Sequence, residues 1–129
     1  KGRLPLAGIS TVTDPVELTG INDAVRVSIA SETVDPVNIC VLRKGGTVTC
    51  WGYGAALGRQ IPSASIPQPV FPPTDIRAFT GASAVVSTPK GGCALRSNGK
   101  ELQCWGYDVP AGLTDLPTRS YVAPHVVKI

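Results

Sequence analysis

The segment CVLRKGGTVTCWGY at residues 40–53 returns as CALRSNGKELQCWGY at residues 93–107. Both copies begin with a cysteine, carry Leu-Arg before a glycine-containing turn, and end in Cys-Trp-Gly-Tyr. Trp51 and Trp105 lie 54 residues apart, and the two copies contain all four cysteines of the chain. Repeats with periods of about 20–50 residues are typical of solenoids and propellers. The sequence therefore predicts two similar structural units in tandem.

Each copy is predicted to be a β-hairpin with its two cysteines facing each other. In the second copy, Asn98-Gly99 is typical of a two-residue type I′ turn, because both residues tolerate a positive φ. This turn sets Cys93 opposite Cys104. Counting outward from it places the two cysteines in a hydrogen-bonded pair, with Cα atoms about 5.5 Å apart.

The first copy is one residue shorter between its cysteines. A three-residue loop at residues 44–46, with Gly46 in the left-handed conformation of a bulge, again sets Cys40 opposite Cys50. The same pleat places Leu42 on the cysteine face of this hairpin, as it does Leu95 in the second.

We therefore predict two disulfides, Cys40–Cys50 and Cys93–Cys104, each contributing about 2–3 kcal/mol. Four buried free thiols and a zinc site are the alternatives. Zinc ligands usually come in pairs about two to four residues apart, whereas nine and ten residues separate the cysteines here. No metal is expected. Two disulfides indicate an oxidising compartment, and hence an extracellular or cell-surface location.

The composition favours an all-β protein. Of 129 residues, 43% are hydrophobic and 16% charged, with 14 glycines and 12 prolines among runs of Val, Ile and Thr. This predicts short strands and turns packed in one domain, or in two small repeats that share a core. The net charge of +3 is spread along the chain, so nucleic acid is not an expected partner. No apolar stretch approaches the roughly 20 residues that span a bilayer.

Along the chain we predict two tandem propeller-blade-like antiparallel sheets. Val25–Ile29 alternates apolar and polar residues and predicts a half-buried strand before the first hairpin. The predicted divisions are an N-terminal arm at 1–17 that could be donated as a strand, repeat 1 at 18–58, a proline-rich connector at 59–73, repeat 2 at 74–113, and a tail at 114–129 that could supply a further strand.

Trp51 and Trp105 could be ligand platforms, but their equivalent positions beside cysteines favour a core role against the disulfides, together with Leu42 and Leu95. Other repeated side chains could contact a partner: Arg43, Arg96, Tyr53 and Tyr107. For the two arginines, a solvated position on the hairpin is the simpler interpretation.

No pattern predicts catalysis. The only histidine, His125, lies in an apolar, strand-like segment, and no serine has a Gly-x-Ser-x-Gly context. The glycine pairs at 45–46 and 91–92 do not open a predicted helix, so they are not expected to bind phosphate. We expect neither enzymatic activity nor a cofactor.

The pattern Cys-Ala-Leu-Arg, then Gly, then Cys-Trp-Gly at 93–106, and again with Val41 for alanine at 40–52, resembles the repeat of the regulator of chromosome condensation family. It is most similar to the cysteine-bearing extracellular bacterial versions. The resemblance covers about residues 18–58 and 74–113. It implies a β-propeller of seven blades with one repeat per blade, and a protein that binds proteins, such as a small GTPase or β-lactamases.

Two repeats cannot close a seven-bladed ring, and they leave sheet edges open. We therefore expect a structural or adhesive protein that assembles with other copies of itself into a filament or ring. The alternative is a soluble module, part of a larger propeller, that binds or inhibits another protein.

Overall fold

A computed structural model describes residues 15, 17–31, 37–53, 57, 70–76, 80–107 and 121–128. The predicted arm at 1–17 is described only at residues 15 and 17, and most of the predicted connector lies outside the described residues. The described residues form eight β-strands: β1 Ala24–Ser31, β2 Val37–Arg43, β3 Val48–Tyr53, β4 Val70–Asp75, β5 Ala82–Thr88, β6 Gly91–Arg96, β7 Glu101–Tyr107 and β8 Tyr121–Lys128.

The strands form two antiparallel sheets of four strands each. Their orders are β1-β2-β3-β4 and β5-β6-β7-β8, so each sheet pairs strands in the order in which the chain makes them. Each first strand has a register shift at the same place, between Ala24 and Arg26 in β1 and between Ala82 and Ala84 in β5. The prediction of two blade-like sheets, each with a disulfide-tied hairpin, is confirmed.

The first hairpin has the predicted loop. Gly46 N donates to Arg43 O at 2.8 Å, and Arg43 N donates to Thr47 O at 2.9 Å, which closes a loop of residues 44–46. Gly46 has a φ of +80°. The left-handed position of this loop requires a positive φ, which glycine adopts because it has no Cβ. Cys40 pairs with Cys50 and the two form a disulfide.

The second hairpin has a longer loop than predicted. β6 ends at Arg96 and β7 begins at Glu101, so the loop holds four residues instead of two. Gly99 N donates to Arg96 O, and Lys100 N donates to the side chain of Asn98 at 3.0 Å. The asparagine side chain thus accepts a hydrogen bond from the Lys100 amide. In a two-residue turn this amide would instead donate across the hairpin to the opposite strand.

A loop that is longer by one residue at each end leaves the same residues opposite each other. It exchanges the hydrogen-bonded and the non-hydrogen-bonded pairs along the two strands. Cys93 still pairs with Cys104, and the disulfide is present. Their Cα atoms are 4.1 Å apart, which matches the non-hydrogen-bonded pair at about 4.5 Å rather than the predicted spacing of about 5.5 Å.

The predicted boundary at 73/74 does not coincide with the end of a strand. It falls inside β4, which belongs to the first sheet and contains Pro72 and Pro73. A proline cannot donate to a strand ladder but is tolerated at an edge, and β4 is the edge strand. β8, from the predicted tail, is likewise the edge of the second sheet and contains Pro124. Pro72 and Pro73, two of the prolines that indicated a connector, therefore lie in an edge strand.

The repeated Trp-Gly step marks a bulge. The pairing of β3 with β4 shifts register between Cys50 and Gly52, and that of β7 with β8 shifts between Cys104 and Gly106. Gly52 and Gly106 have φ values of +132° and +124°, which L-residues with a Cβ rarely adopt. The repeated glycine thus follows from the backbone conformation that the bulge requires.

Most of the buried core lies between the two sheets. One face of the first sheet contributes Cys40, Leu42, Val48 and Cys50, and one face of the second contributes Ala94 and Trp105. A second cluster lies on the opposite face of the first sheet and is formed by Ile39, Val41 and Trp51, against which Leu18 and Ile21 pack.

Replacing Cys40 and Cys50 together by alanine should lower the free energy of unfolding by about 2–3 kcal/mol, because the bridge closes a short loop in the unfolded chain. The cysteines are 10 residues apart and both are buried. Urea denaturation measures the change. The matching Cys93→Ala/Cys104→Ala protein should lose a similar amount, and an unchanged midpoint in either would contradict this role.

Gly46 and Gly99 allow a matched test of the contact between repeats, because both have a positive φ, +80° and +67°. A Cβ at position 46 would lie 2.7 Å from the Cα of Gly81, whereas one at position 99 meets nothing within 4 Å. Gly99→Ala should lower the free energy of unfolding by about 1 kcal/mol, the cost of a left-handed backbone, and Gly46→Ala by about 1–3 kcal/mol more, because of the clash. Thermal unfolding of both variants measures this, and equal melting temperatures would contradict it.

Candidate protein-binding surface

The contact between the sheets defines two kinds of face. We call the face that carries the cysteines the cysteine face, and the opposite one, which carries the tryptophan, the tryptophan face. Residues that pair across strands share a face. In the core, the cysteine face of the first sheet packs against the tryptophan face of the second sheet.

The two tryptophans are both buried but in different surroundings. Trp105 lies in the cluster that contains Cys40 and Cys50, so it shares a core with the disulfide of the other repeat. Trp51 lies in the second cluster, which contains no cysteine. A tryptophan that follows a cysteine along a strand points to the opposite face, and this is why neither packs against the disulfide of its own hairpin.

Gly92 gives Trp105 its space. The two residues pair across β6 and β7. A Cβ at position 92 would lie 2.7 Å from the Cζ2 atom of the indole ring. The small residue therefore lets the ring lie flat over the neighbouring strand.

Asn38 ties the first sheet to the second through polar contacts. Its side chain is almost fully buried. The Nδ2 atom donates to the carbonyl oxygens of Thr88, at 3.3 Å, and of Pro89. These carbonyls lie at the last residue of β5 and in the turn that follows it. Buried polar groups of this kind stabilise a fold when they are satisfied and destabilise it when they are not.

The outer strands of the two sheets meet through a pair of serines. Ser87 N donates to Ser28 Oγ at 2.8 Å, and Ser87 Oγ donates to Ser28 O at 3.0 Å. Ser28 lies on the cysteine face of β1, opposite Cys40. The inward side of β1 is therefore its polar side.

This reverses the expected orientation of β1. Alternation in Val25–Ile29 predicted a half-buried strand, for which burial of the apolar side is the usual arrangement. Instead, Val25, Val27 and Ile29 are 57%, 63% and 62% exposed. Val27 and Ile29 lie on the tryptophan face, because Ile29 pairs with Ile39 and Val27 with Val41, and Val25 lies at the register shift that precedes them. Sequence alternation gave the period of the strand, but not the side that another sheet would cover.

The cysteine face of the second sheet is partly exposed, although Cys104 on this face is buried. Val86 pairs with Cys93 and is 53% exposed. Leu95 and Leu102, which pair with each other on the same face, are only half-buried. Leu42, the equivalent of Leu95 in the first repeat, is buried because its cysteine face is covered by the second sheet.

We call Val25, Val27 and Ile29 the β1 row, and Val86, Leu95 and Leu102 the second cysteine face. Contiguous exposed apolar residues commonly mark protein interaction sites. The β1 row and the second cysteine face lie at opposite ends of the two-sheet stack, since the other face of each sheet is used in the contact between them.

The repeated arginines form ion pairs within their own repeats. Arg43 Nε donates to Asp23 Oδ1 at 2.6 Å, and Arg96 Nε lies 3.0 Å from Glu101 Oε2. Both arginine side chains are partly exposed. A role for them in binding a partner stays a prediction. The side chains of Tyr53 and Tyr107, also predicted as contacts, lie outside what the structure describes.

Among the described residues, no three His, Cys, Asp or Glu side chains are grouped so that they could hold a metal ion. All four cysteines are in disulfides. The described part of the chain contains no apolar helix of the length that crossing a bilayer requires.

The fold is similar to that of known β-propellers. One match is in the crystal structure of Kap60 bound to yeast RCC1 (Prp20), with a TM-score of 0.60, 16% identity, and coverage of 84% of this chain and 25% of that chain. Another is the crystal structure of Prp20p from Saccharomyces cerevisiae, with a TM-score of 0.60, 17% identity, and coverage of 84% and 26%. No protein-family model and no curated protein sequence matches the chain.

The resemblance to the RCC1 β-propeller is thus seen in the structure as well as in the sequence motifs. The chain spans about a quarter of the length of these structural neighbours. At this level of identity the likeness concerns the fold.

Asn38→Asp tests the polar tie between the repeats. A carboxylate cannot donate to the carbonyls of Thr88 and Pro89, so the free energy of unfolding should fall by about 1–3 kcal/mol. Urea denaturation measures the loss. Asn98→Asp is the matched control, because Asn98 acts as an acceptor for Lys100 N and a carboxylate keeps that role. Equal stability of the two variants would contradict the importance of the tie.

Proposed function

We propose that this chain is a non-enzymatic β-repeat protein that binds protein surfaces, with a structural or adhesive role outside the cell or on its surface. The observation that carries the proposal is the β1 row, whose three large apolar side chains are each more than half exposed. Burying them against a partner removes apolar surface from water, which is the main driving force of protein association.

The row is suited to binding because it is held rigidly. β1 pairs with β2 along its whole length, and β2 carries one end of the Cys40–Cys50 disulfide. A partner therefore meets side chains that are already ordered, which reduces the entropic cost of association. The row also continues the buried cluster of Ile39, Val41 and Trp51 on the same face.

The proposed location is supported by the two disulfides, which are compatible with an oxidising compartment. The absence of catalysis is proposed on the sequence, in which the only histidine stands in an apolar segment and no nucleophile motif occurs. The surface we identify is apolar. It would bind a partner through shape complementarity and the burial of apolar area, and not through acid–base groups.

A second candidate is a soluble module that belongs to a larger propeller and grips or inhibits another protein. It is supported by the coverage of only about a quarter of the structural neighbours. Those neighbours are proteins with protein partners: yeast RCC1 is bound to Kap60, and Prp20p was studied for its binding to Gsp1p and histones. Both candidates use a protein-binding surface and differ in the identity of the partner.

Site-specific photocrosslinking tests the function that both candidates share. A benzophenone amino acid at Val27, in the middle of the β1 row, should give discrete protein adducts when the chain is irradiated in the medium or at the surface of cells that produce it. Mass spectrometry identifies the adduct. The matched control carries the same group at Lys100, an exposed residue of the β6–β7 loop.

Adducts that form at position 27 and not at position 100 would support binding through the β1 row. Absence of adducts at position 27, or the same adducts from both positions, would contradict it. The crosslinked protein also separates the candidates, since a copy of the chain indicates assembly and a different protein indicates a binding module.

A further inference from the structure

The two sheets are equivalent strand by strand, so the contact inside the chain shows which side chains a further contact would bring together. On the cysteine face, Ser28 pairs with Cys40 in the first sheet and Val86 pairs with Cys93 in the second. Val86 is therefore the equivalent of Ser28. The first and second cysteine faces are the same surface in two repeats.

The tryptophan faces correspond in the same way. Ile29 pairs with Ile39, which pairs with Trp51, and Ser87 pairs with Gly92, which pairs with Trp105. Ile29 is therefore the equivalent of Ser87. Inside the chain, the outer strands meet through Ser28 and Ser87. At the two free ends of the stack, the same two positions are Val86 and Ile29.

We infer that the partner of the β1 row is the second cysteine face of another copy of this chain, docked head to tail with the geometry that joins the two sheets within one copy. The inference rests on the proposed protein-binding function and identifies the partner. A hydrogen-bonded pair of serines inside the chain is replaced, between copies, by an apolar contact of Ile29 with Val86. The two free faces are thus complementary in chemistry as well as in position.

A further segment supports this arrangement. Ile76 precedes β5 by six residues, as Leu18 precedes β1 by six. Ile76 is buried between the sheets, and its backbone N donates to Val48 O of the first sheet at 2.9 Å. Leu18 packs on the equivalent tryptophan face but is only half-buried. A second copy docked in the same way would cover Leu18.

The contact between copies lacks one element of the internal contact. Asn38, which ties the two sheets together, pairs with Ala30, and the equivalent residue in the second repeat is Gly91, which pairs with Thr88. Glycine has no side chain to donate. We therefore expect association between copies to be reversible and dependent on concentration.

A head-to-tail contact uses different surfaces on its two partners, and each copy carries both surfaces. Such a contact extends from copy to copy until the assembly closes or continues as an open chain. A substitution in either surface should stop this growth, while leaving the other surface able to bind.

The test measures the mass of the non-reduced chain by light scattering after size exclusion, over a range of concentrations. The wild-type mass should rise with concentration above the 13.4 kDa of one chain. Ile29→Glu and Val86→Glu should each remain at the mass of one chain, because each places a charge on one surface. The two like charges also repel each other where the substituted surfaces would meet in a mixture. An equimolar mixture of the two variants should form a dimer of twice that mass, through the surfaces that remain wild type.

A wild-type mass that stays at 13.4 kDa at every concentration would overturn the inference. So would association of either variant alone, since a Val86→Glu dimer would indicate that the β1 row binds a copy of itself. A mixture that remains monomeric would also overturn it. Ile29→Thr and Val86→Thr keep a β-branched side chain and are milder variants. Their masses should follow the same order, with the wild type above the mixture and the mixture above either variant alone. Circular dichroism checks that all variants are folded.

The outcomes also separate this inference from the proposed function. A monomeric wild-type chain that still forms adducts from position 27 with a different protein would overturn self-association and leave protein binding intact. Absence of both association and adducts would overturn both proposals.

Discussion

The structure depends on the packing of one cysteine face against one tryptophan face. This contact buries Cys40, Cys50 and Trp105 in one cluster, so the disulfide of the first repeat and the tryptophan of the second belong to a single core. The cross-strand disulfides fix the register of both hairpins, and the register decides which side chains reach this core. A shift of one residue in either hairpin would exchange its two faces and remove the contact.

The same packing rule explains the exposed apolar surface. Each sheet has two faces, and two sheets in a stack leave one face of each sheet outside the contact between them. The β1 row and the second cysteine face contain the exposed apolar side chains of these two outer faces. Their apolar character is typical of a repeat protein. In such a protein one face of each unit packs on one neighbour, and the opposite face packs on the next neighbour. Within the chain, Ser28 and Ser87 meet through hydrogen bonds, and the free ends carry Val86 and Ile29 instead.

Prediction from sequence succeeded for features that the local backbone geometry determines. It failed for features that contacts with a side chain or strand elsewhere determine. The loop with Gly46 followed from spacing and the need for a positive φ. The second loop did not, because the Asn98 side chain takes the amide of Lys100 and competes with the shorter turn. The prolines in β4 suggested a connector, because the sequence does not show which strand lies at the edge of a sheet. Proline is tolerated in an edge strand, and β4 is one. The β1 row was predicted as a strand, but its exposure was not expected.

The sequence by itself determined the two repeats, the all-β class, the facing of the cysteines and the turn between β2 and β3, because these depend on spacing along the chain and on the pleat of a strand. Only the tertiary structure decided that Trp105 shares a core with the disulfide of the other repeat, that Asn38 links the two sheets, and that the apolar side of β1 faces outward. The physical reason is that alternation assigns side chains to two faces, while burial depends on which face another sheet covers.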